Sequence, residues 1–210
     1  MIDASGRRMV PPINLRHTFT RPLLPVILYC QLFATFSSAH PHLFIDVTGK
    51  FLLTDSTVSG FNVFWDIDEM TSAGLIEEFD LNHNRRFEKN EVETIEKVAF
   101  SYAASSNYFT VCTWGSKNLP VTPRNFFAEI RSDVRVRYNF FIPFNFRLEE
   151  ASRQKTTVFF DDPSMFVAFD LQKKLIQAST NQNWQGSVSF EKKNYSESII
   201  LSIERKHREQ

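Results

Sequence analysis

From Tyr108 onward the chain repeats short runs in which apolar and polar residues alternate: YFTVCTW, FFAEIR, VRVRYNFFIPF, TTVFFDD, MFVAFDL, SVSFEKK and SIILSIE, separated by Pro, Asn, Asp and Ser. Successive side chains of a strand point to opposite faces, so these runs suit strands with one buried and one wet side. In VRVRYNF, Val134, Val136, Tyr138 and Phe140 are expected inside, with Arg135, Arg137 and Asn139 on a solvated face. The segment HLFIDVTGKFLLTDSTVSGFNVFWDID alternates in the same way, and its breaks at Thr48-Gly49-Lys50 and Ser59-Gly60 read as hairpin turns.

Between these two regions the period changes. Thr71-Ser72 precede AGLIEEF, with Leu75, Ile76 and Phe79 at helical spacing, and EVETIEKVAFSYAASS places Val92, Ile95, Val98 and Ala99 on one helical face. The expected fold is therefore mainly β (α+β): an antiparallel β-sandwich with an inserted, EF-hand-like helix-loop-helix at about residues 68–105.

The first 39 residues have another character. Arg7, Arg8, Arg16 and Arg21 precede the apolar run PLLPVILYCQLFATF, which ends in Ser37-Ser38-Ala39, the layout of a secretory signal peptide. The run holds two prolines and Gln31 and falls short of the roughly 20 apolar residues of a membrane span. We expect residues 1–39 to be removed, leaving residues 40–210 as a single periplasmic domain that is not an integral membrane protein. Of the 24 basic and 24 acidic residues, four Arg and one Asp lie in the leader, so the remainder carries 20 basic and 23 acidic residues, a formal charge of −3. With no basic run, nucleic acid is not an expected partner. Cys112 is then the lone cysteine, expected as a buried thiol, and no intrachain disulfide can form.

Cleavage after Ala39 makes His40-Pro41-His42 the amino terminus. A free α-amine, with a reference pKa of about 7.7 to 8.0, joins the His40 imidazole as a chelate, and His42 supplies a third nitrogen. Pro41 has no N–H to deprotonate, which disfavours square-planar backbone coordination and leaves side-chain and amine ligation of Zn, Cu(II), Ni or Co. His83 is a further ligand candidate, and carboxylates are available at Asp46, Asp66, Asp68 and Glu69. His207, in the charged tail, is expected to be solvated.

The loop DLNHNRRFEKNE fits four of the oxygen positions of a calcium-binding EF-hand loop, with Asp80, Asn82, Asn84 and Glu91 at places 1, 3, 5 and 12. Arg85 stands where that loop needs glycine, and Arg85 and Arg86 put two cations beside the ion. A degenerate, non-binding loop is the expectation; a weak calcium site is the alternative.

The order HPHLFID, FNVFWDIDEMTSAGLIEEFDLNHNRRFEKNEVETI, NYFTVCTWG, VFFDDPSMFVAFD resembles a bacterial family catalogued as domain of unknown function 1007, over residues 40 to about 172. The shared features are His40 to His42, Trp65 followed by Asp66 to Asp68, the Asp80 to Glu91 loop and Asp162-Pro163. That resemblance implies the periplasmic component of an ABC-type transport system, encoded beside nickel/cobalt-type permeases. The leading expectation is a non-enzymatic accessory that binds a transition-metal ion through His40, His42 and His83 and serves an inner-membrane metal permease or ABC-type transporter. The rivals are an envelope interaction protein without metal and an amino-terminal-histidine copper oxidase.

Overall fold

The computed structural model describes residues 41–206, apart from residue 152, residues 194–195 and the side chain of Lys193. It is mainly β, with two five-stranded sheets and few helices. In chain order the elements are β1 (Leu43–Leu53), β2 (Thr57–Ile67), α1 (Glu69–Phe79), α2 (Lys89–Ile95), β3 (Thr110–Trp114), β4 (Lys117–Leu119), β5 (Arg124–Ile130), β6 (Val136–Arg147), the one-turn α3 (Leu148–Ala151), β7 (Thr156–Phe160), β8 (Val167–Ala178), β9 (Trp184–Lys193) and β10 (Ser196–Arg205). The first sheet has the order β5-β6-β2-β1-β8 and the second β4-β3-β7-β10-β9. All pairings are antiparallel except β1 with β8, which is parallel.

The inward faces of the two sheets share one core, in which Val47, Val63, Phe140 and Ile142 of the first meet Val158, Ile199, Leu201 and Ile203 of the second. Full burial of each such side chain contributes roughly 1.5 to 3 kcal/mol, so this interface dominates the stability of the domain. Trp65 is an aromatic hub, with ring contacts to Phe140, Phe169, Phe160 and Phe100. Cys112 is buried on β3, and burial pushes its thiol up to about 12.

Two expected turns are absent. β1 runs unbroken through Thr48-Gly49-Lys50, and the β1–β2 reversal lies at Thr54 to Ser56, where the Thr54 amide donates to Thr57 O at 2.8 Å. Gly49 is needed for space: a Cβ there would meet Asn62 O at 2.5 Å and the Phe61 ring at 2.7 Å. Gly60 sits within β2 at a register shift opposite β6. Both glycines mark close backbone approach inside strands.

The helical region caps the first sheet. α2 continues as a π-type segment, Glu96–Phe100, then a 3-10 segment, Ser101–Phe109. The wider π turn rotates the face, which is why Val98 is exposed instead of buried and Phe100 turns inward to stack on Phe126 at 4.4 Å. At its end Asn107, Tyr108 and Phe109 are all left-handed, with φ of 51°, 52° and 50°. Such backbone costs roughly 1 to 2 kcal/mol per non-glycine residue. It is held by Asn107 Nδ2 donating to Thr110 O at 2.6 Å, Thr110 Oγ1 donating to Tyr108 O at 2.7 Å, and Phe109 O accepting from the Asp161 amide at 2.8 Å.

Candidate functional site

His40 and His207 lie outside the described residues. His42 lies just before β1, with its amide donating to Phe166 O at 2.8 Å and its ring 5.3 Å from the Phe166 ring. The imidazole is exposed, on a backbone fixed by the turn that begins β8. That turn is built by Asp162. Its Oδ1 accepts from the Ser164 amide at 2.9 Å, and its Oδ2 accepts from Phe166 N at 3.1 Å and Val167 N at 2.9 Å. Burial pushes the Asp162 carboxyl up, but the Ser164 hydroxyl and these amides outweigh it and hold the group below the usual aspartate range. His42 and the Asp162-Pro163 turn, about 120 residues apart in sequence, are therefore neighbours.

Asp68 anchors the same region from the other side. Its Oδ2 accepts from the Phe44 amide at 3.0 Å, and its Oδ1 caps α1 by accepting from Thr71 N at 2.9 Å. Burial again raises this carboxyl, and the Thr71 and Phe44 bonds prevail to leave it lowered. Asp68 and Asp162 are thus committed to the backbone.

The α1–α2 loop is closed by its own hydrogen bonds. Asp80, buried, accepts from Asn84 N at 3.1 Å and Arg85 N at 2.9 Å. Glu91, also buried, accepts from Leu81 N at 3.0 Å and Glu88 N at 2.8 Å. Asn82 and Asn84 turn their Oδ1 atoms to the Asn84 and Arg86 amides and donate their NH₂ groups to the two oxygens of Glu88. Hydrogen bonding with Glu91, then with Asn84 and Asn82, holds Glu88 below the ordinary glutamate range. Arg85 adopts φ 63°, the left-handed turn for which calcium loops use glycine, and His83 adopts φ 57° and is exposed. Here the amide protons of Asn82 and Asn84 point at the ninth-position acid Glu88. Among the described residues no group of three or more His, Cys, Asp or Glu converges on a point that would hold a metal ion; His40 is not among those residues.

Residues 25–201 match the family described as "Protein of unknown function (DUF1007)". The chain belongs to this family. The DUF1007 chain is also similar to an uncharacterized 15.5 kDa protein in the trpE 3' region of Spirochaeta aurantia, 35% identical over 89 residues, which is 42% of this chain and 62% of that protein. It is 25% identical over 169 residues to an uncharacterized protein of Haemophilus influenzae, covering 77% and 78% of the two chains. The chain thus spans somewhat less than two thirds of the Spirochaeta relative.

The DUF1007 structure carries one charged arrangement that sequence reasoning missed. On the outward face of the first sheet Asp170, Asp46, Asp66, Arg137 and Glu129 stand in register across all five strands. Like charges directly opposite one another destabilise a sheet, and here guanidinium groups offset them. Arg137 binds Asp66 with two contacts of 2.7 Å, and Arg131 adds a third at 3.2 Å. Arg135 donates to Asp46 Oδ2, Asp66 O and Ile67 O at 2.7, 2.7 and 2.8 Å. The two arginines expected on a merely solvated face are thus bound across strands. Val134, expected inside, sits exposed in the β5–β6 turn with φ 65°. The Thr54-Asp55-Ser56 turn alone would set Asp46 opposite Trp65; Asp46 faces Asp66 only through the register shift between Leu52 and Leu53, which is why sequence reasoning missed the row.

Proposed function

We propose that the protein is an exported accessory of a metal transport system, holding a transition-metal ion as cargo at His40-Pro41-His42 and exchanging it with an inner-membrane permease. The observation that carries this reading is the seating of His42. An imidazole on a frayed terminus loses much of its binding energy to ordering, whereas the bond from its amide to Phe166 O fixes the His42 backbone beforehand and leaves the ring exposed. The nitrogen donors suit borderline divalent ions. Asp162 and Asp68 do not join the ligand set, because their oxygens are engaged by the backbone; amine, His40 ring and His42 ring are the proposed ligands. Removal of residues 1–39 is part of the proposal, since the amine exists only after it.

Mass spectrometry of the exported protein tests both parts. A denatured mass beginning at His40, with one metal adduct under native conditions in Zn, Ni, Co or Cu that is lost in His40→Ala/His42→Ala, is the expected result. A different terminus, or no adduct at micromolar metal, overturns the reading.

A further inference from the structure

β8 is the last strand of the first sheet, and its unpaired edge faces a groove of about 480 Å³. The parallel register with β1 decides which backbone groups that edge offers. Leu43 pairs with Val167 and its amide donates to Phe166 O at 3.2 Å, so the even-numbered residues Ala168 and Asp170 of β8 bond toward β1. The odd-numbered residues point the other way. At the start of the strand Asp162 Oδ2 takes the Val167 N–H together with that of Phe166 in the preceding turn, so the alternation begins after Val167 and is set by the register with β1. Phe169 and Leu171 follow, and among the described residues their amides meet no partner on that edge.

The free stretch is bounded at both ends. At one end Asp162 stops the ladder. At the other, β1 advances two residues from Val47 to Gly49 while β8 advances five from Leu171 to Ile176, a bulge that throws Lys173, Lys174 and Leu175 into solvent. Bulges and lysines are the usual guards of an exposed strand edge. They guard β8 beyond Leu171 and leave Val167–Leu171 open. Five residues at about 3.3 Å each make a window of roughly 16 Å. The opposite wall comes from the second sheet, with Phe160, Asp161, Ser196 and Glu197.

The groove selects by charge. It is lined by four carboxylates, Asp161, Asp162, Asp170 and Glu197, against Lys173 and Lys192. Lys173 is bound to Glu197 at 2.6 Å, while among the described residues Asp170 receives only the Gln172 amide, at 2.8 Å. We propose that this edge binds an extended, basic segment of another protein as an added strand, pairing with the free N–H and C=O groups of Phe169 and Leu171. Main-chain bonds would supply the affinity and the acidic lining the preference for alternating Lys or Arg. Pro41 lines the same groove, so a bound segment would lie beside the residue that precedes His42. The inference does not depend on any metal being held there.

The test uses the metal-free protein and the peptide acetyl-Val-Lys-Val-Lys-Val-amide, with two variants N-methylated either on the valines or on the lysines. Only one of these alternating sets faces β8. Strand addition therefore predicts that one variant loses about tenfold or more in affinity, the worth of two backbone bonds, while the other stays within about twofold of the parent. It also predicts that the parent peptide slows hydrogen exchange of the Phe169 and Leu171 amides and leaves Ala168 and Asp170 unchanged. Equal binding of both methylated forms, or no binding at millimolar peptide, overturns the proposal. Slow exchange at Phe169 and Leu171 that depends on protein concentration without peptide assigns the edge to a second copy of this chain and overturns it as well.

Discussion

Carboxylates crowd two regions of this molecule, and the two neutralise them by opposite means. In the α1–α2 loop Asp80, Glu88 and Glu91 are satisfied by backbone and side-chain N–H groups from within twelve residues. On the first sheet Asp46 and Asp66 are satisfied by guanidinium groups from a hairpin some 65 to 90 residues away. The loop is a local solution made of dipoles and the sheet a long-range one made of charges. A dipole network loses one bond at a time, whereas removing a charge strands its counter-charge.

Breaking the sheet side of this contrast should have the largest effect. Asp66→Asn leaves Arg137 and Arg131 without their shared anion on a face where Asp66 is 7% exposed, and should cost about 2 to 3 kcal/mol in urea unfolding. Glu91→Gln should cost less, about 1 to 2 kcal/mol, because one acceptor oxygen remains while an NH₂ group is forced against the Leu81 or Glu88 amide. Equal losses from the two variants would erase the distinction.

The acids tied to the backbone provide a pH test. Asp68 and Asp162 have folded pKa values below the unfolded reference of about 3.9, so the stability they contribute is complete above that pH and is lost as pH falls through their folded values. Unfolding free energy attributable to them should be flat from neutral pH to about 5 and decline below about 4. In Asp68→Asn/Asp162→Asn that decline should be shallower, from a starting stability lower by about 1 kcal/mol per lost cap. The smallest effect has the opposite sign. Val134→Gly relieves a β-branched residue at φ 65° in the turn that presents Arg131 and Arg135, and should raise the melting temperature by a few degrees, about 0.5 to 1 kcal/mol. A decrease would mean that the strained turn is not a cost to the sheet network.

The same contrast governs what could be read from sequence. Alternation identified nearly every strand, because period-two burial is written locally, and the loop was legible as a twelve-residue pattern with Arg85 at the glycine place. The hidden parts all depend on register. Gly49 and Gly60 look like turn residues in sequence and are explained only by the Phe61 ring and the β6 backbone that approach them. Val98 sits on the expected helical face until a π turn shifts the phase after Ile95. The Asp-Arg row and the seat of His42 on Phe166 join residues far apart in sequence, and no local pattern announces either.

The parallel pairing of β1 with β8 bears on how the chain comes to be folded at all. β1 is the first strand of the domain, and Leu43 must wait for Val167 before its sheet is complete, whereas β2 is available within a short hairpin. Long-range pairings of this kind slow folding, since loop-closure entropy is lost before the contacts that repay it are made. Until the last fifth of the chain is present, β1 is itself a bare edge. A nascent or truncated chain ending before residue 167 should therefore be collapsed yet prone to pair with its neighbours, and β8 replaces that long bare edge with one whose open stretch is limited to Val167–Leu171.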